Sequence, residues 1–170
     1  ITPAITLPFP FTFYGTAYNN VYIDANGWIS FTTTTNTNAP PGTSPSTGTP
    51  NAVIAGLWFD ADPSANVGGD VRFTTVGTAP NRKFVVNYVA VPYWLSSTDT
   101  VTFQIALNEA DNSVSIFCAD CTLTTSTSRV QVLENAAGTS AKSAYSLTSS
   151  TTFNIPNNTC YTYYTNATAT

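Results

Sequence analysis

Asp60, Asp62, Asn66 and Asp70 fall within the run Asp-Ala-Asp-Pro-Ser-Ala-Asn-Val-Gly-Gly-Asp. Calcium takes several oxygen ligands from a flexible loop, with glycine at the sharp turns, so these four side chains form a candidate calcium site. The spacing is not that of an EF-hand, which closes its loop with a Glu. The same residues also make an ordinary turn leaving a strand. Calcium is the only cofactor the sequence suggests.

Sulfur chemistry rests on Cys118, Cys121 and Cys160. In a secreted protein the expected arrangement is one disulfide joining Cys160 to Cys118 or Cys121, with one thiol left over; a Cys118–Cys121 bridge is the alternative. Cys118-Ala-Asp-Cys121 has the spacing of redox and zinc motifs, but there is no second pair, no histidine and no helical pattern after it. The chain has no histidine at all, so Ser-His-Asp and Cys-His catalysis are excluded. A glycosidase needs two carboxyl groups set across a sugar, and no spacing among the acidic residues selects such a pair. The expectation is a protein that is not an enzyme.

Two further residue types bear on recognition. Tyr93 and Trp94, between Pro92 and a polar loop, are candidates to stack on a sugar, whereas Trp28 and Trp58 lie in apolar runs that read as core. Asn157-Asn-Thr159 and Asn166-Ala-Thr168 fit the N-glycosylation pattern, which places Asn157 and Asn166 at a surface reached by the secretory route.

The 170 residues suffice for one domain, read as 1–170. Only 8% are charged, against about a quarter in ordinary soluble proteins. Thr and Ser, about a quarter of the chain, supply the polar surface instead. Net charge is −4 and the five basic residues are scattered, which argues against nucleic acid as a partner. No apolar run reaches the ~18 residues of a membrane-spanning helix. The chain opens at Ile1, which reads as a processed or excerpted sequence.

The elements that must position these residues are strands. Leu7-Pro-Phe-Pro-Phe-Thr-Phe13 alternates strictly, placing Leu7, Phe9, Phe11 and Phe13 on one face. Pro8 and Pro10 confine it to a sheet edge or margin. Asn26-Gly27 between two β-rich runs marks a hairpin. Residues 32–50 carry hardly an apolar side chain and read as a long surface loop, and 52–59 reads as a strand buried on both faces. Further strands are expected at 71–76, 83–94, 101–109, 114–118, 129–133 and 160–164. About nine or ten short strands and no helical period predict an all-β antiparallel sandwich or jelly-roll.

The blocks Leu7–Gly15, Val21–Phe31, Ala52–Asp62 and Gly69–Phe73, in that order and spacing, resemble the successive motifs of nidogen-like extracellular domains and their relatives in microbial surface proteins. The resemblance runs over residues 7–117. It implies an extracellular, cell-surface β-rich module of matrix and adhesion proteins, without known catalytic chemistry and without a particular ligand.

Two functions compete. One is a structural subunit of a surface filament, in which residues 1–13 leave their own fold and complete the sheet of the next copy, with Leu7, Phe9, Phe11 and Phe13 as anchors. Pairing of that segment within its own domain is the alternative. The other function is an adhesive or glycan-binding module, using the loops at 32–50 and 60–70. The partners would be copies of the chain or other surface proteins in the first case, and glycans in the second.

Overall fold

The computed structural model describes residues 1–35, 40–65 and 69–166. They form eleven strands: β1 (Ile5–Phe13), β2 (Thr16–Asp24), β3 (Trp28–Ser30), β4 (Val53–Trp58), β5 (Asp70–Val76), β6 (Lys83–Pro92), β7 (Thr100–Asn108), β8 (Val114–Asp120), β9 (Val130–Glu134), β10 (Ala141–Lys142) and β11 (Thr159–Tyr163). Two antiparallel sheets result, β1-β2-β3-β4-β9-β10 and β11-β8-β7-β6-β5. The sandwich class is as expected. The number of strands is eleven rather than nine or ten, because the two-residue β10 has no sequence period to announce it.

Alternation builds the core. Leu7, Phe9, Phe11 and Phe13 of β1 meet Phe84, Val86 and Tyr88 of β6, Phe103, Ile105 and Leu107 of β7 and Val114 and Ile116 of β8 in one buried cluster drawn from both sheets. Tyr88 stacks on Phe103 at 4.5 Å, and its buried hydroxyl donates to the carbonyls of Asp24 (2.8 Å) and Trp28 (2.9 Å). A phenol in the core therefore has its hydrogen bonds made, as burial requires.

Within this single chain β1 pairs with its own β2. β1 returns to its own β2 through the two-residue turn Tyr14-Gly15, with φ of 48° and 80°, the left-handed pair that suits a tight hairpin. So short a link favours pairing at home. The Asn26-Gly27 hairpin is as expected, joining β2 to β3 with Asp24 opposite Trp28. Gly27 (φ +88°) is obligatory there, since a Cβ would stand 1.9 Å from the Leu57 carbonyl oxygen.

β4 is buried along its whole length. Its Val53, Ala55 and Trp58 join Trp28, Val130 and Val132 in a second apolar layer on the far face of the six-stranded sheet. That layer needs a cover, and the stretch read as a surface loop provides part of it. Ser44 N–H donates to Leu147 O (2.8 Å), Ser149 N–H to Gly42 O (3.1 Å), and Thr43 bridges Thr148. Pro40, Ser44 and Pro50 are buried. Two segments with little regular structure thus pair with each other across the Trp28–Trp58 face.

Buried Arg129 ties down the rest of the C-terminal region. Its guanidinium donates to the carbonyls of Phe153, Thr125 (3.0 Å) and Leu123 (3.2 Å) and to Asn154 Oδ1 (3.1 Å). Burial lowers its pKa, partly offset by the Asp99 carboxylate.

Candidate functional site

A two-sheet sandwich has four edges, and two of these, β1 and β10, are poorly suited to a further strand. β1 carries Pro8 and Pro10 and a register shift between Thr6 and Phe11. Its margin is also occupied by side chains, with Thr12 N–H donating to Asn112 Oδ1 (2.7 Å) and Asn166 Nδ2 donating to Thr12 O (2.9 Å). β10 has two residues. β11, five residues in unbroken register with β8, is touched by the chain at 142–144 only at its end, where Ala144 N–H donates to the Tyr163 hydroxyl (3.2 Å) and Lys142 Nζ to Tyr164 O.

β5 is different. All seven residues pair in unbroken register with β6, from Asp70–Val89 to Val76–Lys83. It has no proline and no bulge, the devices that blunt a sheet edge. Val71 and Phe73 point toward the interior side, opposite Tyr88 and Val86, yet Phe73 stays 51% exposed while its ring lies 5.6 Å from that of Phe84. A mainly apolar groove of about 350 Å³ opens beside them, lined among others by Ile23, Pro63, Val71 and Phe73. On the outer side, Arg72 Nε donates to the Asp70 carboxylate. A regular strand with one free margin, an apolar groove below and an ion pair above is suited to pairing with another strand.

Among the described residues no three acidic, Cys or His side chains gather. Asp70 is taken up by Arg72. Asp62 Oδ1 accepts from Ser64 N–H (2.9 Å) and Oγ (2.5 Å), as in an ordinary turn. Burial, with the nearby Asp62 charge, raises the pKa of Asp60. Asn66 lies outside the described residues.

Tyr93 is partly buried against the core, while Trp94 and Leu95, in the turn that follows β6, stand 50% and 68% exposed.

The disulfide is Cys118–Cys121, with Cys160 free and exposed. This is the alternative pairing, and register explains it. Cys160 lies opposite Phe117, on the outer face of the β8–β11 ladder, while Cys118 points inward. A bridge to Cys160 would have to cross the sheet.

The candidate glycan acceptors both have structural roles. Asn166 accepts from Gly15 N–H (2.9 Å) and donates to Thr12, clamping the first hairpin. Asn157 accepts from Cys121 N–H (2.9 Å) and donates to Asp120 (3.0 Å).

Sequence reasoning missed the β5 edge, because strand order is not written in local patterns. The available signal was the polar DVRFTTV run, too exposed in character for a central strand. Sequence reasoning also passed over Glu134, a carboxyl group ending an otherwise apolar strand.

No helix among the described residues is long and apolar enough to cross a membrane. No curated protein and no solved structure matches the chain. The family model described as NIDO related matches residues 1–170, the whole chain. Domains of the NIDO type are extracellular in general, and a disulfide fits that setting. With sandwich, motif order and family model in agreement, the chain belongs to the NIDO-related family.

Proposed function

We propose that this chain is a non-catalytic structural domain of the cell surface that associates with other copies of itself through β5. The observation that carries this reading is the unbroken, unprotected ladder of that edge strand. The occupant follows from the charge order. When a second β5 is laid antiparallel about Val71, Asp70 of each copy faces Arg72 of the other, so the strand complements itself. In this register residues 70–72 of the two copies pair through backbone hydrogen bonds, and Phe73 of each copy, opposite Gly69 of the other, would bury its exposed half.

A single edge buries little area, which places the contact among weak, concentration-dependent ones. Crowding of many copies on one surface strengthens such contacts through effective concentration. A two-fold β5 contact closes after two copies, so a filament requires a second interface.

Analytical ultracentrifugation tests the pairing. The wild type should show a monomer–dimer equilibrium. Arg72→Asp should abolish it by setting like charges face to face, and the double swap Asp70→Arg with Arg72→Asp should restore it. Burying half of a Phe side chain of ~200 Å² contributes about 2.5 kcal/mol per copy, so Phe73→Lys should weaken pairing by well over tenfold. A wild type that stays monomeric at all concentrations, or an Arg72→Asp variant that still dimerises, refutes the reading. Electron microscopy of native material then separates isolated pairs from filaments.

The second reading, an adhesive glycan-binding module, is favoured by the half-exposed Trp94. It requires sugar-dependent perturbation of Trp94 that is lost in Trp94→Ala.

A further inference from the structure

Glu134 ends β9 on the far face of the six-stranded sheet, in line with Val130 and Val132, and is 3% exposed. Its Oε2 accepts from Ser46 N–H (2.8 Å). With the Asn51 amide nitrogen turned inward, Asn51 donates to Oε1 (3.0 Å) and to the carbonyls of Ser46 (2.9 Å) and Gly48 (3.2 Å). A carboxylate has about four lone-pair sites, so acceptor capacity remains. The ion pairs among the described residues engage Asp24, Asp70 and Glu109 and leave Glu134 without a cation.

Beside this carboxylate lies a pocket of about 100 Å³, lined by Pro41, Ser46, Thr49, Pro50, Trp58 and Glu134. The volume equals about three waters, which fits an ammonium head and part of its methylene stem. Trp58 and the two prolines offer aromatic and aliphatic walls, and the face of an indole attracts a cation. An anionic ligand would meet the Glu134 charge. A metal ion would find one carboxylate where calcium takes six to eight oxygens.

We propose that the pocket between Glu134 and Trp58 binds a primary ammonium group on an aliphatic stem. The ammonium donates to the free lone pairs of Glu134 and to the Ser46 or Thr49 hydroxyl, while the stem packs between Trp58 and the prolines. The head supplies the cation that this buried carboxylate lacks. Burial raises the pKa of Glu134, with the Ser46 N–H and the Ser44 hydroxyl acting against it, which is the direction expected of an acid without its counter-ion. Facing titratable and charged groups are few. Tyr14 lies close enough for the Glu134 charge to add to the burial that raises its own pKa to about 12. Lys142, on neighbouring β10, is directed to Tyr164 O, and the 44–51 segment brings no ionisable side chain.

The test is a titration of the intact chain with 1,5-diaminopentane, with Nα-acetyl-lysine methylamide and with uncharged 1-pentanol. It is followed by NMR at the Trp58 indole N–H and by calorimetry. Both amines, or one of them, should shift the Trp58 resonance, and 1-pentanol should not. Binding of the blocked lysine points to a protein partner, and binding of the diamine alone points to a small amine. Glu134→Gln, checked for folding by its thermal transition, should weaken binding at least tenfold, about 1.4 kcal/mol. If that variant does not fold, the wild type decides, because amine binding should fall as pH is lowered and Glu134 protonates. Absence of a Trp58 shift with either amine, equal response to 1-pentanol, or binding unchanged in Glu134→Gln or with falling pH overturns the proposal.

Discussion

Replacement of Arg129 by Met keeps an unbranched apolar stem and removes every donor. Four oxygens then lose charge-assisted hydrogen bonds, namely those of Leu123, Thr125, Phe153 and Asn154. Each such bond contributes about 1.5–3 kcal/mol in net terms. Two effects work against the full sum. Asn154 is exposed and Thr125 and Phe153 are half-buried, so their oxygens partly recover water, and removing a guanidinium whose charge is disfavoured by burial relieves a desolvation penalty. The Leu123 carbonyl, next to a buried side chain, recovers least. A net loss of about 3 kcal/mol is expected, or roughly 6–12 °C in Tm for a chain of this size. Urea unfolding gives the global figure. Amide exchange at 123–125 and 150–155 should accelerate more than exchange in β6 and β7, since the guanidinium is what joins those two stretches. Arg129→Lys should recover less than half, because a point donor cannot reach four oxygens spread about a planar fork. A Met variant within about 0.5 kcal/mol of wild type, or uniform acceleration of exchange, would show that the guanidinium does not hold this region.

Gly27→Ala should destabilise by more than about 3 kcal/mol or prevent folding, since the added Cβ meets a backbone oxygen at 1.9 Å in a left-handed conformation; a variant with wild-type urea midpoint would contradict this. Stability should also peak on the acid side of neutrality. Burial raises the pKa values of Glu134, Asp24 and Asp60, so the folded state holds those protons more tightly and the contribution is lost as pH rises through the folded values. Asp99 runs the other way: burial pushes it up, but hydrogen bonds from Thr124 and Thr125 outweigh this and lower it, and that contribution is lost at low pH. The Tm should therefore be highest near pH ~5 and decline toward pH ~8, with a smaller decline in Glu134→Gln; a Tm that rises over this range refutes the sign.

Legibility in the sequence follows the range of the interactions involved. Strict alternation in Leu7–Phe13 and Val101–Leu107, the Asn26-Gly27 turn and the apolar run at 52–59 are local statements, and each became the element it predicted. The order of strands is not local. The polar character of DVRFTTV argues against a central strand but does not say which sheet or which margin it takes, and nothing in the prolines of β1 says that Asn112 and Asn166 will close its margin from a hundred and more residues away. The cysteine pairing failed for the same reason, since only the β8–β11 register reveals that Cys160 and Cys118 face opposite sides of one sheet.

The Thr- and Ser-rich segments show how a chain with so little charge can still form a specific fold. Their side chains are too polar to announce a core position. What they bring to the Trp28–Trp58 face is backbone pairing between 42–44 and 147–149, a carboxylate held by Ser46 and Asn51, and prolines that fill space without needing donors. The cover over an apolar sheet is thereby made from residues that composition alone assigns to solvent. The same economy of charge leaves few means of blunting an exposed strand, because lysines are the usual guard of a sheet margin and the chain has only five basic residues. On β1 that role falls to proline and asparagine. β5 has neither, and its one pair of opposite charges, Asp70 and Arg72, is what the proposed pairing with a second copy turns on.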